Sequence, residues 1–213
     1  FWVGNFAVRM ETKLSIKNKL SIKIFTGSEA LMFIDDLAQL RITVFKEYPY
    51  LYQGSVDYEK KYLKKFAVAK NSVMVIAFDG EKVIGVSTGL PLVYETDGVT
   101  KPWVDNGHSL DDIFYFGESV LLKEYRRNGL GNQFFIEREN WARKLGAFNI
   151  LAFCAVIREN NHPLKPADYF DLAPFWKRKG FEPMHGYICN ISWQEIGEQN
   201  ESNKPLQFWY KKI

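Results

Sequence analysis

From Ser21 to Phe25 apolar and polar residues alternate, the period of a strand that hides one face. Gly27 and Ser28 break that run with a turn and an N-cap, and Glu29 opens a helix. The apolar positions Leu31, Ile34, Leu37, Ala38, Ile42 and Phe45 recur at three- and four-residue spacing, a single stripe that stops before Tyr48-Pro49. A second helix is predicted over 57–66, after the Gly54-Ser55 break. Residues 72–78 and 82–90 are β-branched runs joined by Asp79-Gly80-Glu81, the chemistry of a tight hairpin. Residues 91–109 hold two prolines and little periodicity, and read as a long loop of the kind that serves a binding site. Residues 113–122 form the fourth strand. The period then turns helical over 128–145, with Leu130, Phe134, Trp141 and Leu145 along one side and Gly146 as the stop. The nearly unbroken apolar run 148–157 belongs in the centre of a sheet that is at least partly parallel. A short helix over 168–179 ends at Gly180, and 184–193 and 206–212 alternate like antiparallel strands. The order is β-α-α-β-β-β-α-β-α-β-β.

A length of 213 residues with 46% apolar content suffices for one well-buried core, and no repeat or linker divides the chain. Residues 21–213 read as one domain and 1–20 as an N-terminal extension, partly foreign sequence, with Met10 a candidate start. No apolar run nears the ~20 residues that cross a bilayer. Arg9, Glu11, Lys13, Lys17 and Lys19 interrupt the beginning, so neither a signal peptide nor a membrane anchor is expected. The 28 basic and 25 acidic residues leave +3, too weak a field for nucleic acid. Cys154 and Cys189 lack the paired spacing of a metal site and the density of a disulfide scaffold. Reduced thiols, a cytoplasmic location and no metal are expected.

The stretch that carries chemistry joins the fourth strand to the following helix. Helix N-termini offer unpaired N–H groups and positive dipole to phosphates. Here Gly129 and Gly131 let a ligand approach the backbone, while Arg126 and Arg127 add charge for its oxygens. No Gly-Lys-Ser/Thr follows, which excludes a Walker loop. Asn132-Gln133-Phe134 stands where the third glycine of the dinucleotide fingerprint belongs. A plain tight turn is the alternative reading of both glycines.

The run Val120-Leu121-Leu122-Lys123-Glu124-Tyr125-Arg126-Arg127-Asn128-Gly129-Leu130-Gly131 resembles the strand-four motif of the GNAT superfamily, which ends in Arg/Gln-x-x-Gly-x-Gly/Ala. Phe175-Trp176-Lys177-Arg178-Lys179-Gly180-Phe181 resembles its second motif, an aromatic helix ending in Gly-Phe. The resemblance spans about 21–193, with the specific motifs between 113 and 181. It implies a mixed α/β (α+β) acyltransferase fold, a twisted six- to seven-stranded sheet flanked by about four helices. It also implies N-acetyl transfer from acetyl-CoA to a primary amine by direct attack in a ternary complex.

On that resemblance the cofactor is held by Val120, Leu121, Leu122, Arg126, Arg127, Asn128, Gly129, Leu130, Gly131 and Asn132, with Asn160 and Trp176 beside the pantetheine arm. Main-chain amides around Leu121 and Leu122 serve the oxyanion. An alkyl ammonium has a pKa of about 10.4 and must lose a proton before it attacks. Glu118, on the fourth strand, is the candidate base. Strict alternation sets it on the face of Phe114, Phe116 and Val120, where a carboxylate is either a base of raised pKa or half of a buried ion pair. Trp176 occupies the place of the family's usual acidic tyrosine, and an indole N–H does not give up its proton at neutral pH. Either Tyr169 or solvent takes over as the acid, and packing is the other reading of Tyr169.

Tyr48, Tyr50 and Tyr52 are the candidate acceptor-binding residues, with Glu47 available for an ammonium. His162 before Pro163 reads as a turn residue, and Cys154 among apolar neighbours as a small hydrophobe. A small-molecule amine is the favoured acceptor over a protein lysine. A non-catalytic acyl-CoA-binding module is the alternative function, and sheet edges near the C-terminus permit a homodimer.

Overall fold

The computed structural model describes residues 20–213. All of the N-terminal extension except Leu20 lies outside the described residues, as does the candidate start Met10. The strands are β1 (Leu20–Phe25), β2 (Val73–Asp79), β3 (Lys82–Pro91), β4 (Ile113–Leu121), β5 (Ile150–Val156), β6 (Glu182–Trp193) and β7 (Ser202–Lys212). The helices are α1 (Ile34–Phe45), α2 (Val56–Val68), α3 (Asp97–Val104), α4 (Leu130–Leu145) and α5 (Ala173–Arg178). The strands form a single seven-stranded sheet in the order β1-β2-β3-β4-β5-β7-β6. Among the described residues, only β4 and β5 are parallel neighbours, and every other pair is antiparallel. The expected mixed sheet and the central place of β5 are borne out.

Two apolar clusters divide the sheet by face. On one, Leu37, Ala38 and Leu40 of α1 and Leu63 and Phe66 of α2 pack with Met74, Ile76 and Val86. On the other, Leu130, Phe134 and Phe135 of α4 pack with Val75, Phe114 and Phe116. The α1 stripe differs in detail from its expected form. Leu40 and Arg41 are buried, whereas Ile42 is only half-buried. Gly27–Phe33 forms a 3-10 turn whose cap is Thr26, not Ser28, because Glu29 reaches back to the Thr26 N–H at 2.9 Å.

Two elements depart from expectation. The loop 91–109 contains α3, which puts Val99 and Trp103 one turn apart against the core. Trp103 is fully buried, with its ring 5.3 Å from Phe208 and 5.4 Å from Tyr187. Pro102 sits inside that helix, which disguises the helical period in the sequence. The second departure is α5, which is shorter than 168–179. Pro174 is accommodated in the first turn of a helix, and Asp171 caps the entrance by accepting from Ala173 N–H at 2.9 Å. Residues 157–172 are therefore a long connection between β5 and α5.

Candidate active site

The parallel pair β4 and β5 is joined only at its start. Ile113, Phe114 and Tyr115 face Ile150, Leu151 and Ala152, and the pairing then ends, although β4 runs on to Leu121 and β5 to Val156. β5 stays paired with β7 along its whole length, from Ile150↔Lys212 to Val156↔Leu206. The result is a wedge whose β4 and β5 edges have no strand between them. It opens at the C-terminal ends of parallel strands, where open α/β sheets receive ligands.

A bulge in β4 sets which side chains reach this wedge. Gly89 faces Phe116 and Ser87 faces Ser119, so two steps on β3 match three on β4. Glu118 N–H donates to Thr88 Oγ1 at 3.3 Å. A Cβ on Gly117 would lie 2.7 Å from that same oxygen and 3.3 Å from the Phe66 ring, so only glycine fits there. The extra residue turns Glu118 away from the face of Phe114 and Phe116 and onto the α1/α2 face. The expected simple alternation is corrected here, while Val120 does share the face of Glu118.

Glu118 enters a buried polar cluster whose other members sequence reading passed over. Its Oε2 accepts from Tyr62 Oη at 3.0 Å, and its Oε1 lies 2.6 Å from Arg41 Nη1, an ion-pair contact without hydrogen-bond alignment. Arg41 Nε also donates to Glu59, which is fully buried. Burial opposes the Arg41 charge, but Glu118, Tyr62 and Glu59 outweigh it and hold the guanidinium above its ordinary range. Tyr62 is raised well above the usual phenol value, first by burial and then by Glu118. Glu118 is thus ion-paired within the protein. A second guanidinium supports the bulge from the opposite face. Arg138 of α4 donates to Thr88 O and Glu118 O, both at 3.2 Å, and to Ser119 Oγ at 2.8 Å, and it stacks 4.1 Å from the Phe116 ring.

Beyond β4 comes the glycine turn. Gly129 caps α4 in the left-handed region (φ 83°), and no side chain caps this helix. Gln133 is the first residue to give its amide to a main-chain acceptor, Gly129 O at 3.1 Å. The amides of Leu130, Gly131 and Asn132 therefore have no acceptor among the described residues, and beyond the adjoining backbone no described atom lies within 4 Å of a Cβ built on Gly129 or Gly131. This is open, positively polarised backbone, suited to a diphosphate. A groove of about 540 Å³ lies between the start of α4 and β1, lined by Ser21, Ile22, Asn128, Gly129, Asn132 and Gln133. It borders the turn but is separate from the wedge.

The two arginines of the turn behave differently. Arg127 is exposed and adopts φ 65°, a left-handed conformation that costs a non-glycine residue about 1–2 kcal/mol. Arg126 is engaged by the protein, donating twice to Glu47 at 2.7 and 2.9 Å and once to Leu121 O at 3.0 Å. The same contact removes Glu47 as a free partner for an ammonium. Asn128 closes the turn on itself, donating to Tyr125 O at 3.2 Å. Leu122 N–H donates to Ile84 O at 3.0 Å, so it is unavailable to an oxyanion. By the two-residue alternation of a strand, Leu121 presents its amide to the opposite edge, the one left open by β5.

The other candidates scatter. Trp176 lies in a ring cluster, 5.0 Å from both Phe153 and Trp209. Asn160 is exposed, and its main-chain carbonyl accepts from Lys165. Tyr169 meets Tyr48 edge-on at 4.7 Å, and Tyr48 also touches His162 at 5.6 Å. Burial raises Tyr169 above the usual phenol value, with Tyr48 and Asp171 adding to it. Tyr50 is raised too, by burial and then by Cys154, Glu118 and Tyr169. Tyr52 is raised by burial and then by Glu59. Cys154 and Cys189 are both free thiols, and Cys154 Sγ lies 2.8 Å from Tyr115 Oη. No group of residues suited to a metal ion and no helix long and apolar enough to cross a membrane occurs among the described residues.

No family model and no curated protein matches the chain. Solved structures do match. An acetyltransferase of the GNAT family from Streptococcus pneumoniae superposes with a TM-score of 0.55 at 16% identity, covering 92% of this chain and 100% of its own. The yncA protein of Salmonella typhimurium, solved with its cofactor acetyl-CoA, superposes with a TM-score of 0.57 at 9% identity, covering 92% and 94%. The PaiA N-acetyltransferase of Thermoplasma acidophilum, in complex with coenzyme A, gives 0.54 at 14% identity, covering 91% and 99%. At these identities the likeness is one of fold, and the chain has the GNAT N-acetyltransferase fold.

Proposed function

We propose that this chain is an acetyl-CoA-dependent N-acetyltransferase that acylates a primary amine by direct attack within a ternary complex. The observation that carries the reading is the wedge between β4 and β5, which opens at the end of β4, the strand that leads into the turn and the unpaired amides of Leu130, Gly131 and Asn132. Those amides, with Arg127, suit the diphosphate of the cofactor, and the open edge of β4 suits its extended arm. Bound there, acetyl-CoA supplies the activated acyl carbon. The ammonium first loses one proton to become the free amine; its nitrogen then bonds to that carbon as the C–S bond breaks, and its second proton passes to the departing sulfur, which leaves as the CoA thiol.

Each residue then has a defined task. The Leu121 amide faces the developing oxyanion. Glu118 takes the proton from the incoming ammonium, with Tyr62 and Arg41 fixing its orientation. Tyr169 and Tyr50 line the acceptor side. A thiol of pKa about 8.5 leaves without much assistance, so the loss of the acidic tyrosine to Trp176 is tolerable. The tyrosine wall formed by Tyr48, Tyr50 and Tyr169 favours a small amine over a lysine on a protein surface.

A second reading, a CoA-binding module without turnover, is favoured by two observations. Glu118 is held by Arg41, and Trp176 stands among packed rings. Thiol release from acetyl-CoA in the presence of an amine panel separates the two. The enzyme releases thiol in proportion to added amine, whereas a module binds CoA with no amine-dependent release.

A further inference from the structure

Residues 47–52, which connect α1 toward α2 and carry the three candidate tyrosines, are gripped by two arginines that the chemistry above leaves aside. Arg126 follows the end of β4 and Arg158 follows the end of β5. Arg126 takes both oxygens of Glu47 at 2.7 and 2.9 Å while its Nε donates to Leu121 O. Arg158 Nε donates to Pro49 O at 2.7 Å, and its Nη2 donates to Tyr50 O at 3.2 Å and to Glu195. Within the turn, Tyr50 and Leu51 give their amides to Glu47 O at 3.1 and 3.0 Å, and Tyr52 gives its own to Phe45 O at 2.8 Å. Glu47 thus anchors the turn by its carbonyl and ties it to the cofactor loop by its carboxylate. Trp193 Nε1 adds a bond to Tyr50 O at 3.0 Å.

The turn therefore spans the mouth of the wedge and is fastened to both of its arms. Each guanidinium spends several donors in a fixed fork, which transmits orientation better than a single flexible contact. For Arg126 to bind phosphate instead, it would have to abandon Glu47 and the Leu121 carbonyl together. We propose that Arg126 and Arg158 are positioning residues that tie the acceptor-side turn to the β4 and β5 edges, so that an acyl-CoA filling the wedge orders the turn before the amine arrives. This inference rests on the proposed function, since it takes the wedge to be the cofactor site.

The test is hydrogen exchange of the amides of residues 50–52 in the wild-type protein, Glu47→Gln and Arg158→Lys, with and without CoA, alongside calorimetry of CoA binding. Glu47 is partly exposed, so its glutamine variant is expected to fold, and Lys at 158 puts its donors on one nitrogen and lacks the planar fork that reaches Pro49 O from Nε and Tyr50 O and Glu195 from Nη2. In the wild type, CoA is expected to slow exchange in the turn about tenfold. In Glu47→Gln, CoA affinity stays within about twofold while that slowing is lost. Ligand-free exchange is expected to be faster in both variants than in the wild type. Equal slowing by CoA in wild type and Glu47→Gln overturns the inference, as does unchanged ligand-free exchange in both variants. So does Arg126→Gln losing CoA affinity while Glu47→Gln keeps it, since that makes Arg126 a phosphate ligand. A wild-type protein that shows no CoA binding in the calorimeter defeats the proposed function itself, and the ligand-free exchange still decides whether the two arginines hold the turn.

Discussion

Beneath α4 and α5 the sheet is covered by rings. Phe116, Phe135, Phe153 and Phe181 meet one another at centroid distances of 5.1–5.9 Å. Beneath α1 and α2, the same sheet buries Arg41, Glu59, Glu118 and Tyr62 in contact. Both faces hold a buried guanidinium, yet Arg138 meets only carbonyls, a hydroxyl and ring faces, whereas Arg41 meets two carboxylates. Burial pushes Arg138 down to about 9, opposed by Glu118, and it still carries its charge at neutral pH. The ring face supplies stiffness behind β4, and the ionic face holds the carboxylate proposed above as the base. A side chain changed on one should alter stability, and a side chain changed on the other should alter turnover.

The sharpest way to break that division is to remove one large group from each face. Phe181→Ala is expected to cost about 3–5 kcal/mol of folding stability, read by urea unfolding, with turnover per folded molecule and CoA affinity kept. Glu59→Ala leaves Arg41 short of a partner in the interior, and a loss of about 3–5 kcal/mol follows. Here turnover should fall as well, because Arg41 then repositions Glu118. Were Phe181→Ala to depress turnover as strongly as Glu59→Ala, the faces would not differ in kind.

Glu118→Gln sharpens the comparison on the ionic face alone. Turnover at neutral pH should drop by roughly a hundredfold, while calorimetry finds CoA binding unchanged. Activity equal to the parent would pass the base to another group and leave Glu118 as ion-pair material.

The smallest expected effect lies away from both faces, on the connection between β6 and β7. Glu198 accepts from Lys204 at 2.7 Å, from the Glu195 amide at 2.9 Å and from Ser202 at 2.8 Å, and these contacts hold its carboxyl down at about 2. Its folded value is below the ordinary one of 4.5, so its contribution is present above pH 4.5 and is lost as pH falls toward 2. Thermal midpoints measured across that window should decline less steeply in Glu198→Gln than in the parent.

The glycine turn was legible because its chemistry is local. Gly129 and Gly131 stand within three residues of one another at the head of a helix, and nothing distant alters that. The order of strands and helices was legible for the same reason, since period and punctuation are properties of short windows. The bulge at Gly117 and Glu118 was not, because it arises from the register of β3 against β4, and alternation along β4 alone points the wrong way. The helix α3 was hidden by Pro102. The pairing of Arg126 with Glu47 joins residues 79 positions apart, so local reading assigned both to ligands. A signal for the buried charges of both faces did exist. Arg41 lies four residues after Leu37, Glu59 four before Leu63, and Arg138 four after Phe134, so each puts a charge on an apolar stripe. A charge in such a place must find a partner inside, and here two of the three converge on Glu118.

The claim beneath all of this is that the free amides at the head of α4 receive a diphosphate. A titration of CoA into the isotope-labelled protein, followed through the backbone amide resonances of residues 129–132, tests it most directly. Those four amides are expected to show the largest shifts in the protein, with smaller ones along the open edge of β4. Saturable CoA binding that leaves them in place, or no binding at all, would contradict it.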